Sequence, residues 1–193
     1  MIKTALQKDS SDSFRLRVGD ALFGDDLICT FFGGNVDVKK TADRLTLTFK
    51  NGEQRIFDAT SGNLLSIIDR NGNTTQLTYD ASYRLITVTD PASRHLYFSY
   101  ATPASFLVTG VSSDTGVSLS YTYDGQGRLS QYTKPDNTTV SFQYNAASNA
   151  TLITAVLDSG GKVLESHTYD NRSRGLTSSR AGGVEALTIT YPF

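Results

Sequence analysis

Seven recurring aspartates are the residues of this sequence best suited to chemistry, because carboxylates serve acid–base catalysis and bind metal ions. Four of them follow a Phe or a Tyr, and three lie in the turns between: Asp58, Asp80, Asp124 and Asp170; Asp69, Asp90 and Asp136. An aspartate in a turn usually accepts hydrogen bonds from backbone N–H groups close by in the chain. We therefore expect these carboxylates to cap turns, and we predict no catalytic residue.

A calcium site is the alternative for one group of these residues. Asp69, Asn71, Asn73 and Asp80 occupy positions 1, 3, 5 and 12 of a possible loop. In a helix–loop–helix calcium site the glycine stands at the sixth position, whereas Gly72 is at the fourth position here. Strands, rather than helices, are expected on both sides. The sequence therefore favours turn capping, and it predicts no metal and no cofactor.

Zinc, serine-hydrolase and phosphate-binding chemistry find no support in the sequence. His95 and His167 are far apart in the chain, and neither has a second His or a Cys at a zinc-ligand spacing. No serine lies in a Gly-x-Ser-x-Gly turn, and the Gly-Gln-Gly of residues 125–127 does not open a helix. We expect His167 to pack on the face of its strand that bears the aromatic residues. The sequence predicts a protein that is not an enzyme.

The elements that position these side chains recur with a nearly constant period. A Phe or Tyr ends an alternating strand, usually followed by an acidic or amide residue and a turn. These residues, called the repeat aromatics below, are Phe57, Tyr79, Tyr100, Tyr123, Tyr144, Tyr169 and Tyr191. From one to the next, their positions in the sequence differ by 22, 21, 23, 21, 25 and 22. A fixed period in this range indicates an array of supersecondary units.

Apolar and polar residues alternate within each period, which is typical of β-strands. Further strands are expected between the repeat aromatics, at 63–69, 83–90, 106–112, 128–133, 152–158 and 176–179. Turn residues such as Asn-Gly and Gly-Gly join them, and no stretch has the apolar period of a helix. The sequence therefore predicts an all-β fold. About six β-hairpins form an antiparallel meander of about a dozen strands, a curved sheet that is an arc of a shell or a partial barrel.

Residues 1–48 do not follow the period, and we predict that they lead into a repeat array at residues 49–193. Alternation at Phe14–Val18, an apolar run at 27–32 and alternation again at Val36 and Val38 indicate three or four short strands. A turn is expected at Gly33–Asn35. These strands would cap the first edge of the array, because an exposed edge pairs with other chains. Edge-to-edge self-association stays open.

Composition limits the partners and the location. The net charge is −1, and the 18 basic residues are scattered, so no surface for nucleic acid is expected. The longest apolar run is too short to cross a bilayer. No secretion signal is recognisable, so the predicted location is cytoplasmic by default, or that of a secreted or cell-surface protein of which this chain is a fragment. Cys29 is the single cysteine, and we expect it to be buried.

The ten tyrosines leave two interpretations open. Rings stacked between adjacent strands would form the hydrophobic stripe of the sheet, whereas an exposed ladder of rings would bind sugar faces or peptides. The chain has no Trp and little else to bury, which favours packing. The alternative function is a cell-surface adhesion or carbohydrate-binding module that uses an aromatic face.

Several segments resemble a known repeat. Residues 123–129 (Tyr-Asp-Gly-Gln-Gly-Arg-Leu), followed by 134–136 (Lys-Pro-Asp) and 140–144 (Val-Ser-Phe-Gln-Tyr), resemble one full YD repeat of the RHS type. Residues 69–85 are similar to further repeats, and the resemblance covers about residues 49–191. Tyr83 stands where the repeat usually has glycine, Ala101 and Asn145 replace the aspartate, and one unit is longer around residues 145–151.

The resemblance implies a wall rather than a reaction centre. In this family, long arrays of repeats form a hollow shell around a toxin or other cargo, and the related teneurins use such a shell in cell adhesion. The resemblance thus implies a structural segment whose partners are a polypeptide cargo or further YD repeats. The family's shell-closing segment, rich in Asp-Pro-x-Gly, does not occur in this sequence, which implies only part of a wall.

Overall fold

The computed structural model describes residues 4–8, 14–18, 21–23, 36–180 and 183–192. Over these residues the regular structure is all β, as the sequence predicts, and no helix is present that is long and apolar enough to cross a membrane. The strands are β1 (Thr4–Lys8), β2 (Phe14–Val18), β3 (Ala21–Phe23), β4 (Val36–Lys40), β5 (Arg44–Phe49), β6 (Gln54–Asp58), β7 (Leu64–Ile68), β8 (Thr74–Tyr79), β9 (Leu85–Thr89), β10 (His95–Tyr100), β11 (Val108–Ser113), β12 (Ser118–Tyr123), β13 (Leu129–Thr133), β14 (Thr139–Gln143), β15 (Ala155–Asp158), β16 (Val163–Tyr169), β17 (Gly175–Arg180) and β18 (Glu185–Thr188).

Fifteen of these strands form one antiparallel sheet in chain order, from β4 to β18. Each strand is hydrogen-bonded to the strands before and after it, and the two end strands have one neighbour each, so the sheet is not closed. The predicted antiparallel meander is confirmed. The strand count exceeds six hairpins, because β4, β5 and β6 pair ahead of the twelve strands from β7 to β18. Their alternating apolar residues are in register, with Val36 opposite Phe49 and Leu45 opposite Phe57.

The first three strands form a separate antiparallel sheet in the order β1–β2–β3. The prediction of short strands before the array is met by β2 at Phe14–Val18 and by β4. The predicted strand at 27–32 with Cys29, and the turn at 33–35, lie outside the described residues. β4 and most of β5 precede residue 49, and both strands belong to the large sheet. The division of the chain at residue 48 stays a prediction.

Contacts divide the chain into two units, residues 1–97 and 98–193. In the first unit a core joins β4, β5 and β6, and its buried residues are Val36, Leu45, Leu47, Phe57 and Ala59. Leu47 and Phe57 are each only 1% exposed. Val38, Phe49 and Leu64 pack against this cluster. The first repeat aromatic therefore lies in the best-packed region among the described residues of its unit.

In the second unit most strand residues are half-buried rather than buried. Val140 and Ala155 are its buried apolar residues over the described range. Tyr121 lies opposite Tyr132 in the strand register, and the ring of Tyr132 lies 6.2 Å from that of Phe142. Cross-strand contacts between rings each stabilise a sheet by about 0.2–1 kcal/mol. Because few residues of this unit are buried, hydrogen bonds between strands and contacts at the ends of the hairpins contribute much of its stability.

Nine turns between the described strands share one backbone form. The N–H of the fourth residue donates to the carbonyl of the first, the N–H of the first donates to the carbonyl of the fifth, and the fourth residue has a positive φ. The fourth residue is glycine in five turns (Gly52, Gly72, Gly116, Gly127 and Gly161), asparagine in one (Asn137), and Tyr83, Ser93 or Ser173 in the other three. An L-residue other than glycine in this conformation costs about 1–2 kcal/mol.

Tyr83→Gly should therefore stabilise the protein by about 1 kcal/mol, because Tyr83 has a φ of 62°, a conformation that glycine adopts without strain. The Tyr83 side chain is 62% exposed, so its removal loses little packing. Urea denaturation of the wild type and the variant measures the difference. Gly72→Ala is the opposite control and should destabilise, since Gly72 has a φ of 85°. A loss of stability in Tyr83→Gly would contradict the expected strain.

Candidate structural site: the tyrosine and aspartate corners

The repeat tyrosines close the open ends of their own hairpins. Each of five tyrosine hydroxyls donates to a backbone carbonyl 15 or 16 residues earlier: Tyr79 to Leu64 at 2.9 Å, Tyr123 to Val108 at 2.7 Å, Tyr144 to Leu129 at 2.8 Å, Tyr169 to Ile153 at 2.7 Å and Tyr191 to Gly175 at 3.1 Å. Four of the acceptors are the first residues of β7, β11, β13 and β17. The hydroxyl thus joins the end of one strand to the start of its partner.

The rings of these tyrosines are half-buried, as is that of Tyr100, whereas Phe57 is buried and has no hydroxyl. Burial raises the pKa of the Tyr123 hydroxyl, with a smaller effect from Tyr121. A buried or half-buried phenol usually needs a hydrogen-bond partner, and the carbonyl supplies it. The packed arrangement favours a structural use of the repeat aromatics, although their role stays a prediction.

Tyr144→Phe should lower the free energy of unfolding by about 0.5–1.5 kcal/mol, because the ring stays and one hydrogen bond to the Leu129 carbonyl is lost. Tyr83→Phe is the matched control, since that ring is largely exposed and lies outside the repeat aromatics. Chemical denaturation followed by circular dichroism measures both variants. Equal effects of the two substitutions would rule out a special contribution of the hairpin-closing hydroxyl.

Four aspartates of the described chain form the same clip with an arginine four residues later. One carboxylate oxygen, Oδ1, accepts the backbone N–H groups of the second and fourth residues after the aspartate, and Oδ2 accepts Nε of the arginine. The Nε–Oδ2 distances are 2.7 Å for Asp80–Arg84, 2.6 Å for Asp90–Arg94, 2.6 Å for Asp124–Arg128 and 2.7 Å for Asp170–Arg174. Both oxygens are therefore occupied within a single five-residue turn.

These hydrogen bonds lower the pKa of each aspartate in the clip. At Asp80 the side chain of Arg84 is the largest cause of the lowered pKa. At the other three, Asp90, Asp124 and Asp170, the largest cause is the backbone N–H of the arginine. A hydrogen bond to the charged form of a carboxyl favours that form. The clip therefore holds these carboxylates ionised.

The remaining three aspartates cap turns without an arginine four residues later, although Arg44 lies 3.8 Å from a carboxylate oxygen of Asp58. Asp58 accepts the N–H groups of Thr60 and Ser61, and Asp136 accepts the N–H and hydroxyl of Thr138. The largest cause of the lowered pKa is the Ser61 backbone N–H at Asp58 and the Thr138 side chain at Asp136. The predicted turn capping is thus confirmed for both residues.

The residues of the possible calcium loop are held in a turn. Asp69 Oδ1 accepts the N–H groups of Asn71 and Asn73, and its Oδ2 accepts Nδ2 of Asn73 at 2.7 Å. The Asn73 side chain is the largest cause of the lowered pKa of Asp69. Over the part of the chain that the structure describes, no group of three His, Cys, Asp or Glu residues could hold a metal ion.

Arginines of the clips also contact the tyrosine that closes the following hairpin. The guanidinium carbon of Arg128 lies 4.6 Å from the centroid of the Tyr144 ring, and that of Arg174 lies 4.1 Å from the centroid of Tyr191. Each such contact is worth about 0.5–1 kcal/mol at an exposed site. Asp124, Arg128 and Tyr144 thus form one connected corner, in which the clip of one turn supports the ring of the next hairpin.

Sequence reasoning singled out the tyrosines and aspartates of these corners and missed the arginines. Their signal is present, since arginine stands four residues after Asp80, Asp90, Asp124 and Asp170. An acidic residue four positions before a basic one is a signal for an ion pair on a helix. In a chain predicted to be all β, the same spacing does not by itself predict a contact. The turn supplies the proximity instead, because its fifth residue faces its first.

The two histidines have separate surroundings. His167 is half-buried in β16, where Nε2 lies 3.7 Å from a carboxylate oxygen of Glu165. The ring of His95 stacks on that of Tyr97 with centroids 5.7 Å apart. Neither contact joins an imidazole to a serine or a cysteine.

Comparison with known families identifies the repeat. The RHS Repeat family matches residues 58–95, and the Teneurin YD-shell family matches residues 94–183. The chain belongs to the YD-repeat family of RHS proteins. The two matches together cover residues 58–183, within the range expected from the resemblance, and the predicted family is confirmed. Proteins of this family are generally structural, and a shell-like structural role follows for the chain. No curated protein is a significant match.

Solved structures similar to this chain include three Tc toxin assemblies. The crystal structure of TcdB2-TccC3-Cdc42 has 13% identity and a TM-score of 0.43 over 90% of this chain. The Photorhabdus luminescens Tc holotoxin pore with a TccC3 mutation has 13% identity and a TM-score of 0.41 over 94% of this chain. TcdB2-TccC3 without its hypervariable C-terminal region has 15% identity and a TM-score of 0.47 over 84% of this chain. The chain spans 14%, 12% and 11% of those chains, respectively.

Proposed function

We propose that residues 49–193 form a segment of a YD-repeat wall that encloses or presents a partner polypeptide, with residues 1–48 leading into it. The observation that carries the proposal is the connected corner of Asp124, Arg128 and Tyr144, and its counterpart at Asp170, Arg174 and Tyr191. The carboxylate, guanidinium and phenol groups are engaged in holding one hairpin to the next. Such a corner is expected in a structural sheet, because its polar groups bond to neighbouring hairpins of the same sheet.

The state of the repeat tyrosines supports the wall over a sugar-binding ladder. An exposed aromatic ladder needs free ring faces, whereas the five repeat tyrosines that bond a carbonyl are half-buried, and two of them are covered by an arginine. The more exposed aromatic side chains are Tyr83, Tyr97 and Phe106. The stacked pair of His95 and Tyr97 is therefore the place where the second candidate function, a carbohydrate-binding or adhesion module, would act.

The proposed partner is a polypeptide cargo or further YD repeats. A net charge of −1 offers no attraction for nucleic acid. The function proposed is not enzymatic, because the groups most able to carry out chemistry, the aspartates, are held ionised in turns, four of them bonded to arginine.

Limited proteolysis of the native protein together with its partner polypeptide tests the proposal. We expect the partner to resist trypsin with the wild-type repeats and to be cleaved faster when Tyr123, Tyr144 and Tyr169 are all replaced by Ala, since the corners then open. Tyr83→Ala is the matched control and should leave protection unchanged. Equal cleavage of the partner in the presence and absence of folded repeats would overturn the proposal. Binding to a glycan array that is lost in Tyr97→Ala would favour the second candidate.

A further inference from the structure

Asn71 precedes Gly72 at the tip of the turn between β7 and β8, and we propose that it is a site of spontaneous deamidation in the folded protein. Asn51, before Gly52 in the turn between β5 and β6, provides a matched comparison. In both turns the asparagine is the third residue and the glycine the fourth, with φ of 85° at Gly72 and 84° at Gly52. The glycine N–H donates to the carbonyl of the first residue at 3.0 Å and 2.9 Å, respectively.

The reaction needs only water. After the backbone nitrogen of Gly72 gives up its proton to a base in the solvent, it attacks Cγ of Asn71. The N–Cγ bond forms and the Cγ–Nδ2 bond breaks, and the amide nitrogen leaves as ammonia with a proton taken from water. The resulting five-membered succinimide is then opened by water at either carbonyl, which produces aspartate or isoaspartate. No atom changes its oxidation state overall.

The first residue of the turn decides how freely the asparagine side chain moves. Asp69 accepts the N–H of Asn73 at 2.9 Å, and the carboxamide of Asn71 makes no hydrogen bond within the described residues. In the other turn the first residue, Phe49, has no acceptor in its side chain, and Oδ1 of Asn51 accepts the N–H of Glu53 at 3.0 Å. The Asn51 carboxamide must leave this hydrogen bond before its carbon can turn toward the Gly52 nitrogen.

The space around the two glycines also favours the reaction at Asn71, because Gly72 is less crowded than Gly52. No heavy atom lies within 4 Å of the point where a Cβ on Gly72 would stand, whereas Cβ of Arg70 lies 3.3 Å from the corresponding point on Gly52. Ring closure requires the backbone to rotate at the bond between asparagine and glycine. Gly72 has room for that rotation, and Arg70 restricts it at Gly52. Asn71 and Gly72 are also exposed to the water that completes the reaction.

Deamidation at Asn71 would alter the hairpin that the turn closes. Isoaspartate adds one carbon to the main chain, which displaces the Gly72 N–H from the Asp69 carbonyl. The adjacent register pair of Ile68 and Thr74 depends on this turn. Isoaspartate at position 71 should therefore loosen the end of β7–β8, while the aspartate product places a second carboxylate beside Asp69.

Peptide mapping by mass spectrometry during incubation of the folded protein at mildly alkaline pH tests the proposal. We expect Asn71 to convert about two- to tenfold faster than Asn51, the range that corresponds to one hydrogen bond of about 0.5–1.5 kcal/mol at about 1.36 kcal/mol per tenfold in rate. In urea the two rates should become equal, because glycine follows both asparagines. Asp69→Ala frees the Asn73 N–H for Asn71 and should slow its conversion toward that of Asn51.

Two outcomes would overturn the assignment. In the first, Asn51 converts as fast as Asn71 or faster in the folded protein. In the second, the preference for Asn71 persists unchanged in the urea-unfolded chain, so that the fold has no part in it.

Discussion

Phe57→Ala should lower the free energy of unfolding of the first unit by about 3–5 kcal/mol, the range for truncating a buried phenylalanine. Phe57 is 1% exposed and lies opposite Leu45, inside the cluster that also contains Val36 and Leu47. Its removal leaves a cavity between β4, β5 and β6 as well as a loss of buried apolar area. Urea denaturation followed by circular dichroism, with transitions fitted separately for the two units, measures the effect.

Phe106→Ala is the matched control, because Phe106 is 70% exposed. Its effect should stay within about 0.5 kcal/mol, as is usual for surface substitutions. A cost below about 1 kcal/mol for Phe57→Ala, where about 3–5 kcal/mol is expected, would show that the cluster collapses around the missing ring. The structural role expected for the first repeat aromatic would then fail.

Acidification should destabilise the protein, because seven aspartates in the described part of the chain have a pKa lowered in the folded state. A carboxyl whose pKa is lower in the folded than in the unfolded state stabilises the fold above its unfolded pKa, which is about 3.9 for aspartate. This contribution is lost as the pH falls from that value through the lower folded pKa. The loss is progressive, and it involves turns in both units at once.

Urea midpoints measured between about pH 7 and pH 2 test this expectation, with the decline beginning near about pH 4–5. Replacing Asp80, Asp90, Asp124 and Asp170 together by Asn should flatten the decline, since asparagine still caps a turn but does not titrate. The single control Asp158→Asn keeps all four arginine clips and should follow the wild-type decline. An unchanged pH dependence in the fourfold variant would exclude the clips as its source.

Local patterns were sufficient for most of the fold. The alternation at 119–123 and at 140–144 predicts β12 and β14, because side chains two apart on a strand share a face. The Asn-Gly pair at 71–72 predicts the turn between β7 and β8, because glycine tolerates a positive φ. These signals lie within a few residues of one another. The place of β4 was harder to predict, since its membership in the large sheet depends on pairing with β5.

The corners were only partly predictable. Capping by Asp124 follows from a residue type in a turn, and the structure confirms it. The contact of Arg128 with Tyr144 does not follow, because it joins residues from two successive units that meet only after two hairpins have paired in register. The carbonyl that accepts each tyrosine hydroxyl depends on the same pairing.

The period of the repeat aromatics, the all-β fold, the position of the turns and the family could all be predicted from the residues in chain order. Each of these depends on residue type and short spacing, which local backbone chemistry translates directly. Which aromatic ring is buried, as Phe57 is, and which is half-buried with its hydroxyl bonded to a carbonyl, as Tyr144 is, could not be predicted in this way. Burial and hydrogen-bond partners are set by the neighbouring strands, and those come together only when the sheet has formed.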